Sequence, residues 1–137
     1  VVVPDGCETT VMLIRHCEKG NLRSHCNYNG YERAVYLSTL FGNEKGDRWP
    51  APSSPNYALK KNRKHGHINH REVETVQFIG YKLDVSIDQS YSTHKTKKLS
   101  ETILTSIKNG EKCGKVTLVS WKHSDLPRLA HHLGTYC

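Results

Sequence analysis

The sequence predicts an α/β fold: a three-layer sandwich with a mainly parallel central sheet flanked by helices. Three observations point there. Two short apolar runs rich in strand formers, TVMLI at 10–14 and VTLVSW at 116–121, lie near opposite ends of the chain. Between them, apolar residues recur at helical spacing in several segments. Both apolar runs give way abruptly to polar residues, as a buried strand does when it delivers a loop at its carboxyl end.

The elements follow in order. Asn29-Gly30 marks a turn after the first strand. From 31 to 41, Ala34, Val35, Leu37, Leu40 and Phe41 keep helical spacing, and Gly42 is the expected stop. Residues 43–70 are the least regular stretch. They hold Pro50, Pro52, Pro55 and the basic run KKNRKHGH, and read as a long basic surface loop with a short strand at Tyr57-Ala58-Leu59. Val73, Val76, Phe78, Ile79 and Leu83 predict a helix over 71–83, and Val85 and Ile87 a short strand. Leu99, Ile103, Leu104 and Ile107 predict a helix over 98–108 that stops at Asn109-Gly110. A last short helix spans 125–133, with Ser124 as N-cap and Gly134 at its end. The whole is expected to be one domain over 1–137, with its core over 10–134 and no internal repeat.

Composition narrows the function classes. The 137 residues carry 20 Lys and Arg against 13 Asp and Glu, a formal net charge of +7. With a pI near 9.2, the chain attracts anions: phosphorylated substrates, nucleic acid, anionic membrane surfaces or an acidic partner protein. A mean hydropathy of -0.65 fits long polar loops. No run approaches ~18 consecutive apolar residues, so no transmembrane helix is expected. Five cysteines stand at 7, 17, 26, 113 and 137, with no CxxC pair, which argues against a zinc ribbon or a thioredoxin-type site. The location is left open. The cysteines suit an organellar or secretory route entered through a removed targeting segment as well as a reducing compartment.

The chemistry gathers where the two clear strands end. The first leads to Arg15-His16 and the second to Lys122-His123. In open α/β sheets ligands bind outside the carboxyl ends of the strands, so two histidines delivered there can face one pocket. The segment LIRHCEK resembles the signature of the histidine phosphatase (phosphoglycerate mutase-like) superfamily, in its branch of small eukaryotic-type phosphatases. The hallmark of that family is Arg-His-Gly after the first strand. Three further segments follow in the family's order: CNYNGYERA at 26–34, REVET at 71–75, and WKHSD at 121–125. They resemble the Leu-Thr-x-x-Gly-x-x-Gln-Ala helix start, the Arg-x-x-x-Thr helix start and the segment bearing the second histidine. The resemblance covers nearly the whole chain.

That resemblance implies a phosphomonoester phosphatase in which His16 is transiently phosphorylated and then hydrolysed by water, with no metal or organic cofactor. Arg15 and Arg71 would offer paired N–H donors to phosphoryl oxygens. Their positive field favours a neutral, nucleophilic His16. His123 would stabilise charge in the transition state, and Asn27 would add a substrate contact. Asp125 is the candidate general acid, with Glu18 and Glu72 as fallbacks. Cys17 stands where the family has glycine, and a side chain there is expected to narrow the pocket or shift His16.

A catalytically weak phosphatase-fold protein is the alternative, acting as a phospho-ligand binder or as a structural subunit of a larger assembly. A mutase is less favoured, since a short chain has few insertions to build a lid. The expected partner is a phosphorylated small molecule or phosphoprotein, with a protein partner conceivable through the basic surface. Nucleic acid ranks last, because no aromatics suited to stacking interleave the run Lys60, Lys61, Arg63, Lys64. His65, His67 and His70 lack a carboxylate or cysteine at metal-site spacing, so no metal is expected.

Overall fold

A computed structural model describes residues 5–18, 24–61, 63–64 and 67–134 of the chain. Its centre is a four-stranded sheet built from β1 (Thr10–Arg15), β2 (Asn56–Ala58), β5 (Ile87–Asp88) and β6 (Val116–Trp121). The strand order is β1-β6-β2-β5 and every pairing is parallel. β6 is central, and all six of its residues are buried. A strand buried on both faces has no polar alternation, which is why VTLVSW reads as a continuous apolar run.

Helices cover both faces. Alternate residues of β6 point to opposite sides. Val119 and Trp121 meet Leu99, Ile103 and Ile107 of α3 (Thr96–Lys108) and Leu129 of α4 (Leu126–His132). Val116 and Leu118 meet Ile79 of α2 (Arg71–Leu83), with Phe41 and Leu37 alongside. Val73 and Val76 of α2 close over Ala58. The helix α1 (Tyr28–Ser38) packs against α2 on that same side. Among the described residues, no helix is long and apolar enough to cross a membrane.

Four local readings are corrected. Helix α1 begins at Tyr28 and ends at Ser38, earlier than the 31–41 expected, because Asn27 caps it: the Asn27 side chain accepts the Gly30 N–H at 2.7 Å. Asn29-Gly30 is thus helix rather than turn. Residues 43–70 are largely loop, as expected, and the short strand in them runs over Asn56–Ala58 rather than 57–59. Asn56 to Leu59 are buried, and β2 lies between β6 and β5 in the sheet interior. A small antiparallel hairpin follows, β3 (Arg63–Lys64) with β4 (His67–Ile68). Ser124 is no cap. It lies inside a 3-10 turn over His123–Asp125, and α4 starts after it without a side-chain cap.

Two disulfides tie the chain. Cys7–Cys113 joins the lead-in of β1 to the turn before β6, and Cys17–Cys26 joins the loop after β1 to the start of α1. Cys137 lies outside the described residues.

A side chain supplies one bond of the sheet. Asn56, 1% exposed, accepts the Leu118 N–H on its Oδ1 at 3.0 Å. Asn56→Ala leaves that buried donor unpaired, so urea denaturation is expected to show a loss of about 2 kcal/mol. An unchanged midpoint would mean that this bond does not hold β2 against β6.

Candidate functional site

β1 ends at Arg15, and the backbone of the next residue still bonds to the sheet: the His16 N–H donates to the Trp121 carbonyl at 3.2 Å. That bond sets His16 against the end of β6. Its side chain is nearly enclosed, at 7% exposure. The imidazole Nδ1 lies 2.7 Å from the Cys17 carbonyl oxygen. A carbonyl only accepts, so Nδ1 carries the proton and Nε2 keeps its lone pair. His123 opens the 3-10 turn after β6, and its ring lies 6.4 Å from the His16 ring, edge to face. Across such a gap a tetrahedral anion can accept from a His123 N–H while the His16 Nε2 lone pair faces its central atom. His123 is exposed where His16 is buried, so the pair is reached from the His123 side.

The electrostatics agree with a neutral His16. Burial holds its pKa below the ordinary 6.5. The cationic Arg71 and Arg15 push the same way, while the bond to Cys17 and the Glu72 carboxylate oppose it. Arg71 is the first residue of α2, where a cation opposes the helix dipole. Its N–H and its Nε both donate to the Asn69 Oδ1, at 3.1 and 3.0 Å, and the Asn69 Nδ2 donates to Glu72 at 2.7 Å. The terminal guanidinium nitrogens have no hydrogen bond to the described residues. Arg15 is exposed at the strand end.

The other expected site residues fall differently. Asn27 serves first as the α1 cap, so its carbonyl oxygen is taken. Asp125 lies beyond His123 in the 3-10 turn, half-buried, with its N–H on the Lys122 carbonyl. Glu18 pairs with Arg33 at 2.6 Å. Glu72 is 2% exposed, and its carboxylate acts on His16. Among the described residues no group of three His, Cys, Asp or Glu is placed to hold a metal. His65 lies outside the described residues, and His70 stacks on His25 at 4.8 Å.

Cys17 turns its bulk toward α1. Its side chain bonds to Cys26, and a Cβ on Gly30 would come within 3.0 Å of the Cys17 Cβ. Glycine at 30 makes room for the side chain at 17. The Cys17 N–H donates to the Thr75 hydroxyl at 2.8 Å, which donates to the Arg71 carbonyl at 2.8 Å. The loop after β1 is thus held to the first turn of α2.

Sequence reasoning missed the polar anchors around this loop. Glu74, 8% exposed, accepts the Cys26 N–H at 3.0 Å, the His25 Nδ1–H at 3.0 Å and the Tyr31 hydroxyl. Burial and the Glu74 carboxylate push the Tyr31 phenol up to about 12. Burial, with His25 and Lys61 nearby, holds the His70 pKa below its usual value. Arg33 reaches the His16 carbonyl at 3.5 Å. A cavity of about 410 Å³ opens elsewhere, lined by Ser54, Tyr57, Thr105 and Lys112 among others. The Lys112 ammonium is bonded to the Ser53 hydroxyl and the Ser54 carbonyl, and the Thr105 hydroxyl to its own helix.

In an NMR titration of the free protein, His16 is expected to lose its proton below pH 6.5, and Arg15→Gln to raise the midpoint. The folded chain binds this proton less tightly than the unfolded one. The stability contributed by neutral His16 is therefore intact above 6.5 and is lost as pH falls below it. A midpoint above 6.5 would refute the burial argument. In comparisons with known proteins, no family model, no curated protein and no solved structure matches this chain.

Proposed function

We propose that this protein is a phosphomonoester phosphatase that works through a phosphohistidine on His16. One observation carries the reading. A buried imidazole, held in the tautomer that leaves Nε2 its lone pair, faces a second imidazole 6.4 Å away. Two arginines act on that buried ring.

The chemistry proceeds in two steps. The His16 Nε2 attacks phosphorus, an N–P bond forms, and the ester P–O bond breaks. The leaving oxygen takes a proton from Asp125. Arg15, Arg71 and His123 donate to the phosphoryl oxygens, where negative charge accumulates. Water then attacks phosphorus and returns a proton to the Asp125 carboxylate. The N–P bond breaks, freeing phosphate and neutral His16.

A second reading, phospho-ligand binding with little turnover, is favoured by one observation. Among the described residues no side chain fixes the Asp125 carboxyl, while Glu72 is buried and bonded to Asn69.

p-Nitrophenyl phosphate separates the two. His16→Ala is expected to drop turnover to background, and equal turnover by the two proteins would end the phosphatase reading. A rise in Tm with added phosphate, without turnover by the wild type, would favour the binder. Asp125→Asn is expected to slow an alkyl phosphate on the order of a hundredfold. It should largely spare p-nitrophenyl phosphate, whose leaving group needs little protonation. An equal loss on both substrates would remove Asp125 from the acid role.

A further inference from the structure

We infer that Lys60 and Lys61, where the chain leaves β2 on its way to α2, form a second anion subsite, so that the ligand of the His16 pocket is a small molecule bearing at least two anionic groups, of the bisphosphate or polyphosphate class. The inference deepens the phosphatase reading and rests on it only for the anion held at His16.

Topology brings the arm between β2 and α2 to the pocket. β2 is hydrogen-bonded to β6 and parallel to it, so both carboxyl ends reach the same edge of the sheet. The chain leaves β6 into Lys122-His123, and leaves β2 through Leu59 into Lys60-Lys61. The Leu59 N–H on the Ser120 carbonyl, 3.0 Å, and the Lys60 N–H on the Tyr91 carbonyl, 2.9 Å, anchor that exit. The hairpin β3–β4 follows, and the chain then returns through Asn69 and His70 to Arg71. Both roots of the arm therefore stand beside site residues: one next to the end of β6, the other continuous with Arg71. The charge of Lys61 is felt at His70.

Charge makes the Lys60-Lys61 root of the arm an anion site. No Asp or Glu occurs between Asp47 and Glu72, while Lys60, Lys61, Arg63, Lys64 and Arg71 all fall in that stretch. Asp88, Glu74 and Glu18 are engaged elsewhere. Asp88, at the end of β5, accepts from the Ser90 N–H and hydroxyl, Glu74 from Cys26, His25 and Tyr31, and Glu18 from Arg33. Lys60 and Lys61 are exposed, and no described carboxylate pairs with them. The charges of Lys60 and Lys61 repel each other and repel that of Arg71. A ligand with a second anionic group relieves both repulsions at once. A single phosphate held by Arg71 relieves the repulsion that involves Arg71 and leaves that between the two lysines.

Calorimetric titration of the full chain with orthophosphate and with tripolyphosphate tests this without recourse to turnover. Tripolyphosphate is expected to bind about tenfold more tightly, the size of two screened ion pairs, and the advantage should shrink as salt is raised. In the Lys60→Gln/Lys61→Gln variant, tripolyphosphate should bind no more tightly than orthophosphate. Equal affinities in the wild type, or an advantage that survives in the variant, would overturn the subsite. So would tight binding of a single-stranded oligonucleotide that tripolyphosphate fails to displace, since the arm would then serve nucleic acid. Absence of p-nitrophenyl phosphate turnover, with the tripolyphosphate advantage intact, would count against the phosphatase reading and leave the subsite standing.

Discussion

The peptide unit at Cys17 is the constraint on which the site depends. Its carbonyl, 2.7 Å from the His16 Nδ1, decides which nitrogen of the buried ring carries the proton. Its N–H reaches the Thr75 hydroxyl, and through it the first turn of α2. The side chain of the same residue runs to Cys26, one position before the Asn27 cap of α1. One residue thus couples the end of β1 to two helices, and the second helix begins with Arg71. The ring, the guanidinium and the cap share a frame because they share that residue. Such local over-determination holds a functional group in place when its own burial is unfavourable for its charged form.

The surrounding charges form a coherent pattern. Arg71 sits at a helix start, where its charge opposes the dipole, and Asn69 fixes the inner nitrogen of its guanidinium. Cations placed against the local field are stable only with a compensating anion or with solvent. Of the carboxylates near Arg71, Glu18 is tied to Arg33 and Glu72 to Asn69. Solvent or a bound anion is left to supply the compensating charge.

Much of the fold is legible in the chain, and the reasons differ by element. β1, α2 and β6 lie where their patterns put them, because each has a long enough apolar period to outweigh its neighbours. The short strand β2 was legible to within one residue, but its place inside the sheet was not, because that place comes from pairing with distant strands. No local period records such a pairing. The start of α1 was displaced because Asn29-Gly30 reads as a turn until Asn27 is seen to cap the helix. Of the site, His16 and His123 were readable as histidines that end strands. Glu72 and Glu74 were not readable as buried groups, since carboxylates on a helix ordinarily face water. Five cysteines without a CxxC pair left the pairing open, and only proximity in three dimensions joins Cys7 to Cys113.

That longer bridge changes the covalent topology of the molecule. Its two cysteines stand 106 positions apart, so nearly the whole domain lies inside one closed ring of main chain. A protease that cuts once between them, in the basic arm or in any other connection, opens the ring without parting the fragments. Both histidines stay on one molecule after such a cut, although they come from opposite ends of the sequence. The cut would show on a gel only after reduction.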